Sequence, residues 1–282
     1  MKSPRTTQIV IVASIVLLVG FLFSQDIKGL VKPKEEAAAV MPEETQTPGV
    51  SLTEASATAK NLVSNAAAKE FTSLETAYQK AEGENKISQA KVLAQKWDDL
   101  EQAIPSALYL EEVANGQPSL VNWVNAGARF LKAFDNTQDS LSKAVMLQKA
   151  NVSYTNAIAI DSTDLDAKTG MGITMVNGAG APMAGITMLL DVVKNDPKNF
   201  KANMNLGLFA IKSGQFDKAI IRFENIIKNI KATPDTYFYL ATAYENLGKN
   251  PEAINAYLQS KKLAANPTLS SFIDKKVAEL KK

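Results

Sequence analysis

Three short motifs between Ser140 and Gly170 hold the residue types of a serine acylase: Ser140-Leu-Ser-Lys143, Tyr154-Thr-Asn156 and Lys168-Thr-Gly170. In that chemistry a serine attacks a carbonyl while a lysine takes up its proton. Such a set draws on distant parts of a chain and puts its Lys-Thr-Gly on a strand. Here all three crowd into one stretch with helical patterning, and chance accounts for them. The run Asn177-Gly-Ala-Gly180-Ala-Pro182 is a second candidate, because glycine-rich loops cradle phosphate. That role needs a preceding strand and a following Lys-Ser/Thr, and neither is present. The run reads instead as a turn between two helices, with Pro182 in the first turn of the second.

The chain has no histidine and no cysteine. The commonest general base, the commonest metal ligand, thiolate nucleophiles and disulfides are therefore all excluded. Carboxylates such as Asp191 and Asp196 are scattered, without the pairing that acid–base work requires. The sequence thus reads as non-catalytic, with no cofactor and no metal. A Ser/Lys hydrolase is the enzymatic alternative.

Net charge is +2 over 282 residues. Residues 1–34 hold five Lys/Arg against one Asp, so the remainder is slightly acidic. A protein that neutralises phosphates needs a basic face, so nucleic acid is not an expected partner.

After a tail at 1–6, residues 7–24 contain no charged side chain. Eighteen helical residues rise about 27 Å, close to the roughly 30 Å of a bilayer core. A cleaved secretory signal has an apolar region of only about 7–15 residues, and Leu22-Phe23-Ser24 makes a poor cleavage site. The expectation is a single transmembrane helix. Lysines and arginines flank it almost evenly, and the short tail favours a cytoplasmic N-terminus with the bulk of the chain outside the cytoplasm, periplasmic in a bacterium. Residues 25–50 are charged, alanine-rich and broken by prolines, which predicts a disordered linker.

From Ser51 the chain is patterned for helices, and no stretch alternates with period two. Ser51 to Glu54 is a capping box. Leu52, Ala55, Ala59, Leu62 and Ala66, then Phe71, Leu74, Tyr78 and Ala81 after a phase shift, predict one helix ended by Gly83. A second runs from about 86 to 103 with Leu93, Trp97, Leu100 and Ile104 on one side, and Pro105 and Gly116-Gln-Pro118 punctuate the stretch beyond it. Residues 51–118 form an N-terminal helical region, read as a divergent repeat or a separate hairpin. Small residues along its first helix also permit self-association, which makes a structural subunit of a homo-oligomer an alternative.

Three later stretches share one spacing of apolar and small residues. Met171-Gly172, Leu206-Gly207 and Leu240-Ala241 hold one place; Ala184, Ala219 and Ala253 a second; Met188, Phe223 and Tyr257 a third. A period in this range means stacked units that cannot bury their apolar faces alone. The unit from Pro234 is the fullest, with Tyr237, Leu240-Ala241, Tyr244, Gly248, Ala253 and Tyr257. Around Trp123, Gly127 and Ala150 stands a unit about eleven residues longer between its two helices.

This pattern resembles the tetratricopeptide repeat (TPR) family over residues 119–267. The resemblance implies an all-α solenoid of antiparallel helix pairs. It also implies a protein-binding adaptor, in anchored members an accessory to envelope assembly, translocation or cofactor maturation. Residues 268–282, with Phe272, Ile273, Val277 and Leu280 on one side, read as the helix that closes the array.

In such a solenoid the first helices line the concave side. Asn205, Leu208 and Lys212 lie together on one helix face; the same offsets give Tyr239, Thr242 and Asn246, then Asn125, Ala128 and Lys132, with Ile173 and Asn177 between. With Lys201 these residues form the candidate groove for another protein or a peptide. Asn hydrogen-bonds an extended backbone and Lys meets a carboxylate. Family members that clamp a C-terminal carboxylate use a full set of Asn, Lys and Arg, which this sequence does not complete.

Overall fold

Helix starts recur in this chain with the same chemistry. Asp164, Asn199, Thr233 and Asn266 each accept a hydrogen bond from the backbone amide three residues on, at 2.7, 2.9, 3.1 and 3.1 Å. Each satisfies an amide that has no partner within its own helix. The computed structural model describes residues 50–178 and 180–282. Among them every regular element is a helix: α1 (Leu52–Lys60), α2 (Asn65–Lys80), α3 (Gly83–Asp99), α4 (Ala103–Gly116), α5 (Leu120–Asn136), α6 (Ser140–Ile160), α7 (Leu165–Gly178), α8 (Pro182–Asn195), α9 (Phe200–Lys212), α10 (Phe216–Asn229), α11 (Pro234–Asn246), α12 (Asn250–Leu263) and α13 (Pro267–Leu280). The expected tail at 1–6, membrane helix at 7–24 and nearly all of the linker at 25–50 lie outside the described residues. No helix among the described residues is long and apolar enough to cross a membrane.

The capped helices α7, α9, α11 and α13 are the first members of their units. The second members α8, α10 and α12 have no side-chain cap. They are entered from Gly180, Gly214 and Gly248, whose φ values are +68°, +72° and +69°. A left-handed residue with a Cβ costs about 1–2 kcal/mol, so glycine makes each reversal tight enough to lay the second helix antiparallel on the first.

Close approach within a unit depends on small residues. A Cβ on Gly207 would stand 2.6 Å from the Phe223 ring, and Ala219, Ala241, Ala253 and Phe223 have no exposed surface. The α7–α8 unit departs from the expected register. Ala184 is exposed and Met188 only half-buried; Gly185 and Leu189 occupy the seam instead, with Leu189 against Gly172. The glycine-rich reversal holds one more residue between the two seam positions, which rotates α8 so that each contact moves on by one.

The longer unit, α5–α6, keeps the same pairing, with Gly127 against Tyr154 as Gly207 is against Phe223. Its extra residues do not form a loop. Both helices are longer at their joined ends, α5 running to Asn136 and α6 beginning at Ser140, so the pair projects beyond its neighbours.

The N-terminal region differs from expectation in its boundaries. The stripe from Leu52 ends at Lys60, and Ser64 caps a new helix by accepting from Ala67 N at 3.2 Å. Leu62, in the break, is 70% exposed. Gly83 is the first residue of α3, with φ +53°, and α3 ends at Asp99 rather than near 103. Pro105 lies in the first turn of α4, where its missing N–H is harmless. α3 and α4 pack as a pair, Ser106 Oγ donating to Ala94 O at 2.8 Å, while α2 stacks Phe71 on the fully buried Trp97. At the other end α13 buries Ile273 and Val277 against the preceding unit; Phe272 stays 45% exposed and Lys276 pairs with Glu245 at 2.9 Å.

Candidate partner-binding face

Equal positions on α5, α7, α9 and α11 form rows across the units. One row is Asn125, Gly170, Asn205 and Tyr239. A second is Ala128, Ile173, Leu208 and Thr242, and a third is Lys132, Asn177, Lys212 and Asn246. Lys201 opens a fourth with Asp166 and Asp235, each the second residue of its helix. Neighbouring units meet along the third row: Lys212 Nζ donates to Asn177 Oδ1 at 3.5 Å.

The asparagines behave alike. Asn177, Asn205 and Asn246 each donate a side-chain N–H to the carbonyl four residues back, at 3.0, 2.9 and 2.8 Å. That fixes the side chain along the helix; the Asn177 Oδ1 accepts from Lys212, and the Oδ1 atoms of Asn205 and Asn246 remain as acceptors. Each amide thereby spends one of its two donors on its own helix and offers a partner fewer donors than a free amide would.

Four expected residues serve the fold as well as, or instead of, an open face. Ile173 is buried at 6% exposure and belongs to the core. Lys132 is committed to Asp98 at 2.6 Å, together with Arg129. Burial disfavours the charged Asp98, but those two cations outweigh it and hold its carboxyl below the usual range. Tyr239 stacks on Phe223 with ring centroids 6.0 Å apart, and Thr242 Oγ1 donates to Phe238 O. Where the first row reaches α7 the side chain is lost altogether, because Gly170 makes room for the Tyr154 ring. The Tyr154 hydroxyl is enclosed with no hydrogen-bond partner among the described residues.

Sequence reasoning missed Asp135. It lies in the last turn of α5, on the stretch by which that helix outgrows its counterparts, and no repeat position predicts it. Solvent reaches its carboxylate, yet protein replaces enough of its hydration to raise its pKa, against the opposing pull of Lys143, Lys201 and Lys212. Lys201 is likewise exposed by area but crowded, and desolvation lowers its pKa despite Asp166 and Asp135. Tyr239 also feels Asp135, after desolvation and Asp235. These mutual influences join α5, α9 and α11 across one face.

The acylase-like motifs do not converge. Ser140 and Tyr154 lie on one helix, fourteen residues or about 21 Å apart, and Tyr154 is buried. Lys168 pairs with Asp191 at 3.5 Å. Among the described residues no group of three or more acidic side chains is placed to hold a metal.

Helix pairs capped on first members, reversed at glycine and sealed by small-on-aromatic contacts decide the architecture. The fold is tetratricopeptide-like. A thermophilic TPR protein of Thermus thermophilus, TTC0263, superposes with a TM-score of 0.54 at 15% identity, over 69% of this chain and 98% of the other. PilW, a widely conserved type IV pilus biogenesis factor, does so with a TM-score of 0.54 at 16% identity, over 69% of this chain and 85% of its own. These likenesses are of fold. No protein-family model matches the sequence, and no curated protein is similar to it.

Proposed function

We propose that this chain is a membrane-anchored TPR-like adaptor that holds a partner protein, through an extended segment, on the face of α5, α7, α9 and α11. The observation that carries this reading is the alignment of outward acceptors and cations at equal positions on consecutive first helices, joined directly by the Asn177–Lys212 hydrogen bond. Such a face offers an extended backbone repeated polar contacts with little rearrangement. The uncharged stretch at 7–24 supplies the anchor, and the polar linker at 25–50 the reach. With a cytoplasmic N-terminus the helical domain stands outside the cytoplasm. The likeness of fold to a pilus biogenesis factor suits an accessory role in assembling an envelope structure.

For the homo-oligomer alternative, Ala55 and Ala59 of the small-residue stripe are buried within this chain against its own helices, while Leu62 and Ala66 of the same stripe stay exposed. Two experiments test the proposal. Protease added to intact and to lysed cells reports the side on which the domain lies; protection in intact spheroplasts contradicts the topology. Capture of partners from detergent-solubilised membranes, repeated with Asn205→Ala and Lys212→Glu, tests the face, and unchanged capture by both variants contradicts it.

A further inference from the structure

The α3–α4 reversal is built like those inside the later units, with one change. Gln102 N donates to Trp97 O at 2.9 Å, as Gln215 N does to Ala210 O at 2.8 Å and Lys249 N to Tyr244 O at 3.0 Å. In the later units the residue before that donor is Gly214 or Gly248; here it is Glu101. With φ +58°, Glu101 is the one non-glycine residue of positive φ among the described residues. Glycine would form the same turn at less cost, so the carboxylate is carried against the preference of the fold. A side chain held in that way points to a role beyond the turn.

Glu101 lines a cavity of about 370 Å³, a volume within the range of small-ligand pockets. Ala55 and Ala59 of α1, Ala103 and Pro105 of α4 and Ala133 of α5 are buried in its walls. The α5 wall exists because that helix outgrows its counterparts. Lys212 and Asn246 end α9 and α11, and Ala133 and Thr137 lie past the equivalent Lys132. Two carboxylates, Glu54 and Glu101, line the cavity, and no lysine or arginine does. Both are exposed, which places them at its opening. Glu54 accepts from Ser51 Oγ at 2.9 Å, and among the described residues neither carboxylate has a cationic partner.

We propose that this cavity is a second binding site, for a small amphipathic cation whose apolar body sits among the alanines and whose ammonium head meets Glu54 and Glu101. Charge decides the class. An anion would face two carboxylates and no cation, and an uncharged apolar molecule would leave both carboxylates unused. The site is built from the two departures from the repeat, a carboxylate at a glycine position and the overlong α5. It is separate from the face of α5, α7, α9 and α11 and does not depend on the peptide-binding reading.

The chain has no cysteine, so Thr137→Cys puts a unique thiol in the cavity wall, and Thr58→Cys does so from α1. The test follows the rate at which iodoacetamide modifies each thiol in the full chain in detergent, with phenethylamine or hydrocinnamate added. The amine should slow modification saturably, and the carboxylate of similar size should not. Thr187→Cys, exposed on α8, should be protected by neither, which separates the cavity from partition into detergent. Glu101→Gly and Glu54→Gln should each raise the half-protecting amine concentration about threefold, the scale of one rim carboxylate. Thermal melts should show Glu101→Gly more stable than the parent, because glycine relieves the reversal, so its weaker protection cannot come from unfolding. Absence of protection, equal protection by hydrocinnamate, equal protection of the Thr187→Cys thiol, or an unchanged amine concentration in both carboxylate variants overturns the proposal.

Discussion

Tyr154 is threaded between two glycines, and replacing one of them isolates the packing that sets the register of α5, α6 and α7. In Gly170→Ala the new Cβ would stand 1.9 Å from Tyr154 Cζ and 2.2 Å from Cε1. Carbon atoms settle at about 3.5–4.0 Å, so the overlap is about 1.5–2 Å. The ring cannot retreat toward α5, where a Cβ on Gly127 would already be 2.8 Å away, and it has no exposed surface to move into. Overpacking of a tight core costs about 1–3 kcal/mol, and this contact belongs at or above the upper end. Alanine in place of a helical glycine returns about 1 kcal/mol. The net loss is therefore about 2 kcal/mol or more, and in a domain of this size the melting temperature falls by about 4–8 °C. Thermal melts followed by circular dichroism, with urea titrations beside them, measure it. Tyr154→Leu frees the space, so Gly170→Ala should cost less in that background than alone. A Gly170→Ala chain that melts higher than the parent, by the helix-propensity gain alone, would refute the packing assigned to Tyr154.

The same contacts yield further outcomes. Tyr154→Phe removes a buried hydroxyl that has no partner and should stabilise the domain by about 1 kcal/mol in urea titrations. Ala219→Leu should cost about 1–3 kcal/mol, whereas Ala184→Leu should stay within about 0.5 kcal/mol, because only the first lies in a seam. Asp98 has a lowered folded pKa, so its contribution is present above the unfolded value of about 3.9 and is lost as pH falls through the folded one. Urea midpoints of Asp98→Asn should accordingly change less with pH than those of the parent below about pH 4. Asp135 has the opposite sign: its folded pKa is raised, so ionisation works against folding, and Asp135→Asn should be slightly more stable than the parent at neutral pH in urea titrations.

Most of the architecture can be read in the residues, because the same local requirement recurs. Leu206-Gly207, Ala219 and Phe223 must be small and aromatic in that order for two helices to touch, and the next unit repeats them. The one-residue shift at Gly185 and Leu189 could not be read that way. Both Ala184 and Gly185 are small, so composition leaves the register open and the length of the reversal decides it. α4 was equally hidden: eight of its fourteen residues are buried, so it lacks the polar face that makes a helix visible in sequence. The row of capping residues at Asp164, Asn199, Thr233 and Asn266 was available as a signal and marks the first helices more sharply than their apolar pattern.

The candidate face was legible in part for a related reason. Asn177, Asn205 and Lys212 occupy repeat positions, so spacing alone placed them on one surface. Ile173 shares that spacing, but its side chain is apolar and turns into the seam. Lys132 shares it too, yet Asp98 on α3 captures it, a contact from outside the repeats. Asp135 escaped notice because it sits on a stretch without a counterpart in the other units, where periodicity has nothing to say.

Photo-activated cross-linking in intact cells tests most directly whether the first helices hold a partner. A cross-linking residue at Asn205 or Asn246 should trap one and the same protein, while the same residue at Ile221 or Leu258, exposed on the second helices, should trap none of it. Equal trapping from the second helices, or trapping from them alone, would mean that the partner sits on the opposite face.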